Sequence, residues 1–395
     1  MLQVAILGFG TVGSGVAEVL TMNKKALAKK IGQELEVKYI LDTREFPGSP
    51  FASKVVHDFA LIEQDQEVKL VAECIGGATI AYEFVKRCLL AGKHVATSNK
   101  ELVATKGYEL LQIAKEKNVN FMFEASVGGG IPALRPLYFD LAGNEITEVA
   151  GILNGTTNYI LTKMFTEGAA FADVLKDAQA KGYAEADPTA DVEGLDACRK
   201  ACILSALSFG FHVYPQQVAT EGISSITAED VAVAEAGNMK LKLLGRTMRL
   251  EDGRVCAFVA PHYIPQSCQL AHVDDVFNGL LVRGNAIGEA MFYGPGAGKL
   301  PTASAVVGDL ADCAWHMDER RDLDWADACP EAMVQMNELS LPYVVRTSAP
   351  RAQVEACLGA VTPLANDGYL LEKEMTLSAI QSAGLPLVAV RPVFR

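Results

Sequence analysis

Apolar runs and the breaks between them divide this chain into two regimes. In the first, short buried-strand runs at 4–7, 36–41, 68–75, 94–97 and 120–124 alternate with helical periodicity at about 12–30, 81–91 and 101–117. Strands alternating with helices at this interval predict a parallel sheet with right-handed crossovers. Ligands of such sheets bind beyond the carboxyl ends of the strands, and Gly76, Ser98, Lys100 and Glu124 all fall at or just after those ends.

The pattern changes after Gly128-Gly-Gly130-Ile-Pro132, a flexible hinge. A strand at 145–153 is followed by Asn154-Gly-Thr-Thr157, whose side chains suit a helix start, and by helices at about 157–167, 171–181 and 191–209. Runs at 240–250 and 254–260 flank Glu251-Asp252-Gly253, a hairpin signal, so a mixed or antiparallel sheet is expected here. Gly294-Pro-Gly296-Ala-Gly298 opens a helix at about 303–315 that could return the chain to the first domain. A small terminal unit has strands near 342–347 and 386–393 and a helical run at 352–361. The breaks divide the chain into a first domain at 1–130, a second α+β domain at 131–294 and a C-terminal unit at 335–395, with the segment at about 295–318 either returning to the first domain or serving as a linker.

Composition narrows the class. At 395 residues the chain exceeds one typical core, and a profile half hydrophobic and 21% charged is that of a compact soluble protein. A net charge of -13 would repel nucleic acid and anionic membranes, and no apolar run approaches membrane-spanning length. Nine cysteines without metal spacing read as thiols of a reducing compartment, and the first residues carry no basic leader, so a cytoplasmic protein is expected.

Two stretches carry candidate chemistry. Gly8-Phe9-Gly10-Thr11-Val12-Gly13 lies between the first strand and the first helix, where Gly8 permits a tight turn, Gly10 lets backbone approach a pyrophosphate, and Gly13 allows close helix–strand packing. The helix N-terminus adds free N–H groups and a positive dipole end. Asp42 ends the second strand, where an acid takes ribose hydroxyls, while Arg44 could meet a 2'-phosphate, so NAD and NADP both remain open.

The second stretch, 182–200, crowds carboxylates into a loop that turns into an apolar helix. Asp196 and Lys200 stand four residues apart and share a helix face. Glu185 lies upstream, so two acceptors and one amine could receive a small molecule bearing an ammonium and a hydroxyl. An exposed salt bridge under an acidic, solvated loop fits the same pattern.

Seven motifs, spanning residues 4 to about 316, resemble the homoserine dehydrogenase family. They are Gly8-Phe-Gly-Thr-Val-Gly-Ser-Gly15, Thr97-Ser-Asn-Lys-Glu101, Phe123-Glu-Ala-Ser-Val-Gly-Gly-Gly-Ile-Pro132, Gly151-Ile-Leu-Asn-Gly-Thr-Thr-Asn-Tyr-Ile160, Gly182-Tyr-Ala-Glu-Ala-Asp-Pro188, Gly194-Leu-Asp-Ala-Cys-Arg-Lys200 and Tyr293-Gly-Pro-Gly-Ala-Gly298. The resemblance implies a Rossmann-type doubly wound parallel sheet, an α+β substrate and dimerisation domain, and a short ACT-like tail. It implies reversible, NAD(P)-dependent reduction of L-aspartate 4-semialdehyde to L-homoserine, in threonine and methionine biosynthesis, by a homodimer or homotetramer. Lys200 would be the acid–base residue with Lys100 a second lysine near nicotinamide and substrate. Glu185, with Gly182 in its loop, would hold the substrate ammonium and Asp196 the reacting hydroxyl. Phe9, Gly10, Thr11 and Val12, with Gly8 and Gly13, would lie on the dinucleotide, joined by Ser98, Lys100 and Gly296. Main-chain oxygens of Glu124, Val127, Gly129 and Ile131 would hold a monovalent cation, Na+ or K+.

Two positions depart from the family pattern. Leu41 stands where many relatives carry an arginine that can meet the NADP phosphate. The tail shows Ser348-Ala-Pro-Arg351 in place of an Asp-x-Pro-Gly turn, which weighs against threonine feedback. Outside this family, a dehydrogenase for another amino-acid semialdehyde, an acylating enzyme using Cys74, or a non-catalytic nucleotide or amino-acid sensor would share some of these features.

Overall fold

A computed structural model describes residues 1–395 as two compact units. The first comprises Met1–Gly143, Ala206–Tyr214 and Gly294–Ala328; the second comprises Asn144–Ser205, Pro215–Tyr293 and Cys329–Arg395.

The first unit opens with β1 (Leu2–Leu7), α1 (Thr11–Met22), α2 (Lys24–Ile31), β2 (Leu35–Leu41) and the short β3 (Val55–Val56). It continues with α3 (Ala60–Gln64), β4 (Val68–Glu73), α4 (Thr79–Leu90), β5 (His94–Thr97), α5 (Lys100–Lys117) and β6 (Phe121–Met122). The strands form one parallel sheet in the order β3-β2-β1-β4-β5-β6, reversing direction of growth beside β1. β1 and β4 are almost wholly buried, as expected of central parallel strands covered on both faces.

Where one helix was expected at 12–30, the helix breaks at Asn23, which ends α1 and starts α2. α2 buries no residue fully and rests on the core only through partly buried Leu27 and Ile31, so little packing opposes a break at asparagine, a residue of low helix propensity.

The second unit is built on β7 (Ile146–Ile152), followed by α6 (Gly155–Glu167), α7 (Phe171–Ala180), α8 (Thr189–Val192) and α9 (Leu195–Phe209). The helix expected at 191–209 is divided at Gly194, whose φ of +79° only glycine adopts readily. The chain adds β8 (Ala219–Thr220), α10 (Ala228–Ala236), β9 (Met239–Arg249), β10 (Val255–Pro265), β11 (Phe277–Gly284) and β12 (Gly288–Pro295). The sheet order is β12-β11-β7-β9-β10-β8, antiparallel at every junction from β11 to β10 and parallel between β10 and β8. α9 seats on β9 through Ser205, which accepts the Thr247 hydroxyl at 2.9 Å, and beside Gly245, where a Cβ would lie 2.6 Å from Leu153 and 3.4 Å from Ala201.

Helix α11 (Lys299–Trp315) belongs to the first unit and packs on α1: a Cβ on Gly15 would stand 2.7 Å from the Lys299 carbonyl. After the short β13 (Ser340–Leu341) the tail runs β14 (Tyr343–Thr347), α12 (Arg351–Leu358), β15 (Val361–Pro363), β16 (Gly368–Leu371), β17 (Met375–Thr376), α13 (Leu377–Gln381) and β18 (Leu387–Pro392). The sheet β15-β16-β14-β18 is antiparallel throughout, a strand-helix-strand-strand-helix-strand arrangement. Its core is continuous with Cys256, Phe258 and Ala260 of β10. Just beyond β18, fully buried Phe394 enters the core of the larger sheet beside Ile152, Leu244 and Leu281. No helix is long and apolar enough to cross a membrane.

Candidate functional site

In the first unit, candidate nucleotide contacts gather at the carboxyl ends of β1, β2, β4 and β5. Gly8 has φ +88°, and a Cβ there would stand 3.0 Å from the Cys74 carbonyl. A Cβ on Gly13 would fall 1.9 Å from the Gly8 carbonyl, whereas Gly10 has nothing within 4 Å. The turn is therefore packed behind and open in front, as a backbone approached by a pyrophosphate must be. α1 has no side-chain cap, which leaves its first N–H groups for an anion.

Asp42 is held in place rather than free: Oδ2 accepts the Phe9 N–H at 2.8 Å and Oδ1 the Arg44 N–H at 3.0 Å. The Arg44 guanidinium grips both oxygens at 3.0 Å and, with these N–H donors, lowers the Asp42 carboxyl to about 2. Ser98 donates its N–H to the Glu73 carbonyl at 3.2 Å, and partly buried Lys100 begins α5 after its Asn99 cap. Cys74, the alternative acylating nucleophile, has its thiol pushed well up by burial, the opposite of an activated thiolate.

The hinge after β6 is organised by a side chain whose role is invisible in the spacing. The Glu124 carboxylate accepts the N–H groups of Ala133, Leu134 and Arg135 at 2.5, 2.8 and 2.7 Å, and its own N–H donates to Asp309 of α11 at 2.8 Å. Burial pushes the Asp309 carboxyl well up despite nearby Arg135. The carbonyls of Val127, Gly129 and Ile131 accept no hydrogen bond from the protein, and that of Glu124 receives only a long one of 3.5 Å from Val127. A Cβ on Gly129 would lie 2.4 Å from the Gly296 carbonyl, so these two glycines lie back to back. Unsatisfied main-chain oxygens on a braced loop are the donor set a hard monovalent cation takes.

In the second unit the centre is the N-terminus of α6. Lys200, only 7% exposed, donates to Asp196 at 2.7 Å and to the Leu153 carbonyl at 2.5 Å. Asp196 is 4% exposed, so the exposed-bridge alternative does not hold. Asn154 caps α6 by accepting the Thr157 N–H at 2.9 Å, while its amide donates to Asp196 at 2.9 Å and to Asp191 at 2.7 Å. Asp191 is raised from its ordinary value, first by burial.

The loop carrying Gly182 and Glu185 is exposed, and it is fastened to α6 where Thr156 donates to the Tyr183 carbonyl at 2.6 Å. Spacing alone pointed to Asp196 and Lys200 and treated Asn154 as a cap. Its second function and the Leu153 carbonyl carry no signal in a single sequence.

A doubly wound sheet with a glycine turn open to a pyrophosphate, and a buried lysine–carboxylate pair on a separate α+β scaffold, define a nicotinamide-dinucleotide-dependent oxidoreductase. Comparison with known proteins makes this specific. A model described as "Homoserine dehydrogenase, NAD binding domain" matches residues 8–124, and one described as "Homoserine dehydrogenase" matches residues 132–311. The homoserine dehydrogenase of Pseudomonas aeruginosa is 39% identical over 400 residues, covering 98% of this chain and 91% of that one. That of Corynebacterium glutamicum is 45% identical over 318 residues, covering 79% and 71%.

Among solved structures, a homoserine dehydrogenase from Thiobacillus denitrificans superposes with a TM-score of 0.90 at 35% identity, covering 100% of this chain and 98% of that one. A hyperthermophilic archaeal homoserine dehydrogenase in complex with NADPH gives a TM-score of 0.66 at 28% identity, covering 79% and 97%. The chain belongs to the homoserine dehydrogenase family. It is an oxidoreductase acting on a CH–OH group, interconverting L-homoserine and L-aspartate 4-semialdehyde with a nicotinamide dinucleotide.

Proposed function

We propose that Lys200 is the acid–base residue of this reaction. The observation that carries the reading is a buried amine held between one carboxylate and one carbonyl, with no freedom to wander. The dinucleotide supplies or receives the hydride. As the aldehyde is reduced, negative charge grows on its oxygen; the Lys200 ammonium stabilises that charge and delivers the proton, and in the reverse direction the amine takes the hydroxyl proton. Asp196 orients the hydroxyl and the amine together. Glu185, on the loop opened by Gly182, holds the substrate ammonium, and Lys100 supplies a second positive charge.

Lys200→Ala is expected to retain NADH binding, followed by nucleotide fluorescence, and to lose nearly all turnover. A variant with near-normal rate removes this lysine from the chemistry.

In the same reading Gly8, Phe9, Gly10, Thr11, Val12, Gly13, Ser98, Lys100 and Gly296 hold the dinucleotide. Asp42, ionised and fixed, favours ribose hydroxyls over a 2'-phosphate, so NAD should give the higher kcat/KM in a direct comparison with NADP. Glu124, Val127, Gly129 and Ile131 hold Na+ or K+ through main-chain oxygens, which salt titration of activity tests.

We assign residues 1–130 with about 295–318 to the dinucleotide domain, 131–294 to substrate binding and dimerisation, and 335–395 to an ACT-like unit. The strand order of the tail supports that last assignment. A homodimer or homotetramer is proposed, which light scattering tests. Nine free thiols suit a reducing cytoplasm, which cell fractionation tests.

A further inference from the structure

Glu73, the last residue of β4, is fully buried, and no lysine, arginine or histidine offsets its charge. One oxygen accepts the Ile75 N–H at 2.5 Å and the other accepts the Thr97 hydroxyl. Thr97 Oγ1 in turn receives the Asn99 N–H at 2.9 Å. The Asn99 amide donates to the carbonyls of Ile75 at 3.1 Å and Gly77 at 2.7 Å, and its Oδ1 caps α5 at the Leu102 N–H, 3.0 Å away. The carboxylate thus stitches the loop after β4 to the loop after β5. The Cys74 carbonyl and Ile75 side chain of the first loop lie where a Cβ on Gly8 would come within 3.0 and 3.1 Å. That loop is also tied to the start of the glycine turn, because the Cys74 N–H donates to the Leu7 carbonyl at 2.8 Å.

A buried carboxylate left without a cation costs several kcal/mol, and a glutamine or an apolar residue at a purely structural position would avoid that cost. We propose that Glu73 is a positioning residue of the dinucleotide site, and that its carboxylate, through Ile75 and the Thr97–Asn99 pair, holds the two strand-end loops in the binding geometry. Burial raises its carboxyl to about 7, so the brace weakens as the solution becomes mildly acidic. The other titratable groups facing it are thiols, Cys74 on its own loop and Cys88 on α4, both pushed further up and neutral in this range; β1 and β5 contribute only backbone and hydroxyls.

The test is NADH affinity, by nucleotide fluorescence, between pH 5.5 and 8.5 in the full-length protein and Glu73→Gln. A hydrogen bond to an ionised acceptor outweighs a neutral one by enough to change affinity about fivefold. The wild type should therefore bind about fivefold more weakly at the acid end, and the ratio of variant to wild-type Kd should rise to about five at alkaline pH and fall to about one in acid. His57, which approaches the Asp42 carbonyl at 2.7 Å, titrates in both proteins and cancels in that ratio. Thr97→Val, which removes one donor to the carboxylate, should weaken NADH binding at alkaline pH while leaving kcat at saturating nucleotide within about twofold. A Kd ratio independent of pH, or a loss confined to kcat, overturns the proposal. If Glu73→Gln does not fold, the Thr97→Val measurement decides alone.

Discussion

Replacing Asn154 by alanine removes three hydrogen bonds at once: the α6 cap and the two donors that part Asp191 from Asp196. The cap contributes about 1 kcal/mol. Each bond to a carboxylate contributes about 1.5–3 kcal/mol when buried, and water entering beside half-buried Asp191 recovers part of that. We expect a loss of about 3 kcal/mol in urea unfolding. The effect on rate has a different origin, because Asp196 is one of the groups that fixes the Lys200 amine. A shift of about 1 Å in a reacting group costs about a hundredfold, and kcat should fall by that order while NADH affinity is unchanged. Asn154→Ser separates the two effects, since serine caps a helix but cannot donate to two carboxylates. It should regain about 1 kcal/mol of stability and little of the rate. Wild-type turnover by Asn154→Ser would refute the reasoning and reduce Asn154 to a cap.

Two further outcomes follow from distances and burial. Gly10→Ala should fold normally, because nothing lies within 4 Å of the new methyl, yet bind NADH poorly; Gly13→Ala should destabilise the first unit outright, since its methyl would meet the Gly8 carbonyl at 1.9 Å. Circular dichroism and nucleotide fluorescence on the pair check this. Lys242, buried against Asn158 and Asp274, is lowered by burial from 10.5 to about 8. In that window the unfolded chain holds the proton that the folded chain has lost, so stability rises with pH. The wild type should gain on Lys242→Met by up to about 1.4 kcal/mol per pH unit there, measured by urea unfolding.

The first unit was readable from its residues because central parallel strands are apolar on both faces and therefore appear as unbroken runs. β12 is not legible in the sequence, since it is an edge strand with only one buried residue and has no apolar alternation to read. In the tail, the expected helix at 352–361 ends at Leu358, and Gly359, with φ +87°, turns the chain into the three-residue β15, too short for any periodicity. At the site, the four-residue interval placed Asp196 beside Lys200, as helical geometry requires. Partners that are backbone atoms, such as the Leu153 carbonyl, leave no trace in side-chain spacing. Nor does a residue such as Glu124, whose carboxylate serves three amides several residues downstream.

Phe394 changes how the C-terminal sheet should be regarded. Because that ring is a brick in the interior of the neighbouring sheet, and the two share one oily seam at Cys256 and Phe258, the tail has no clean line of detachment. Cutting it away would lay bare a wall of the larger sheet to solvent, inviting the remnant to clump. Any tug on β18 would reach that wall through the same ring.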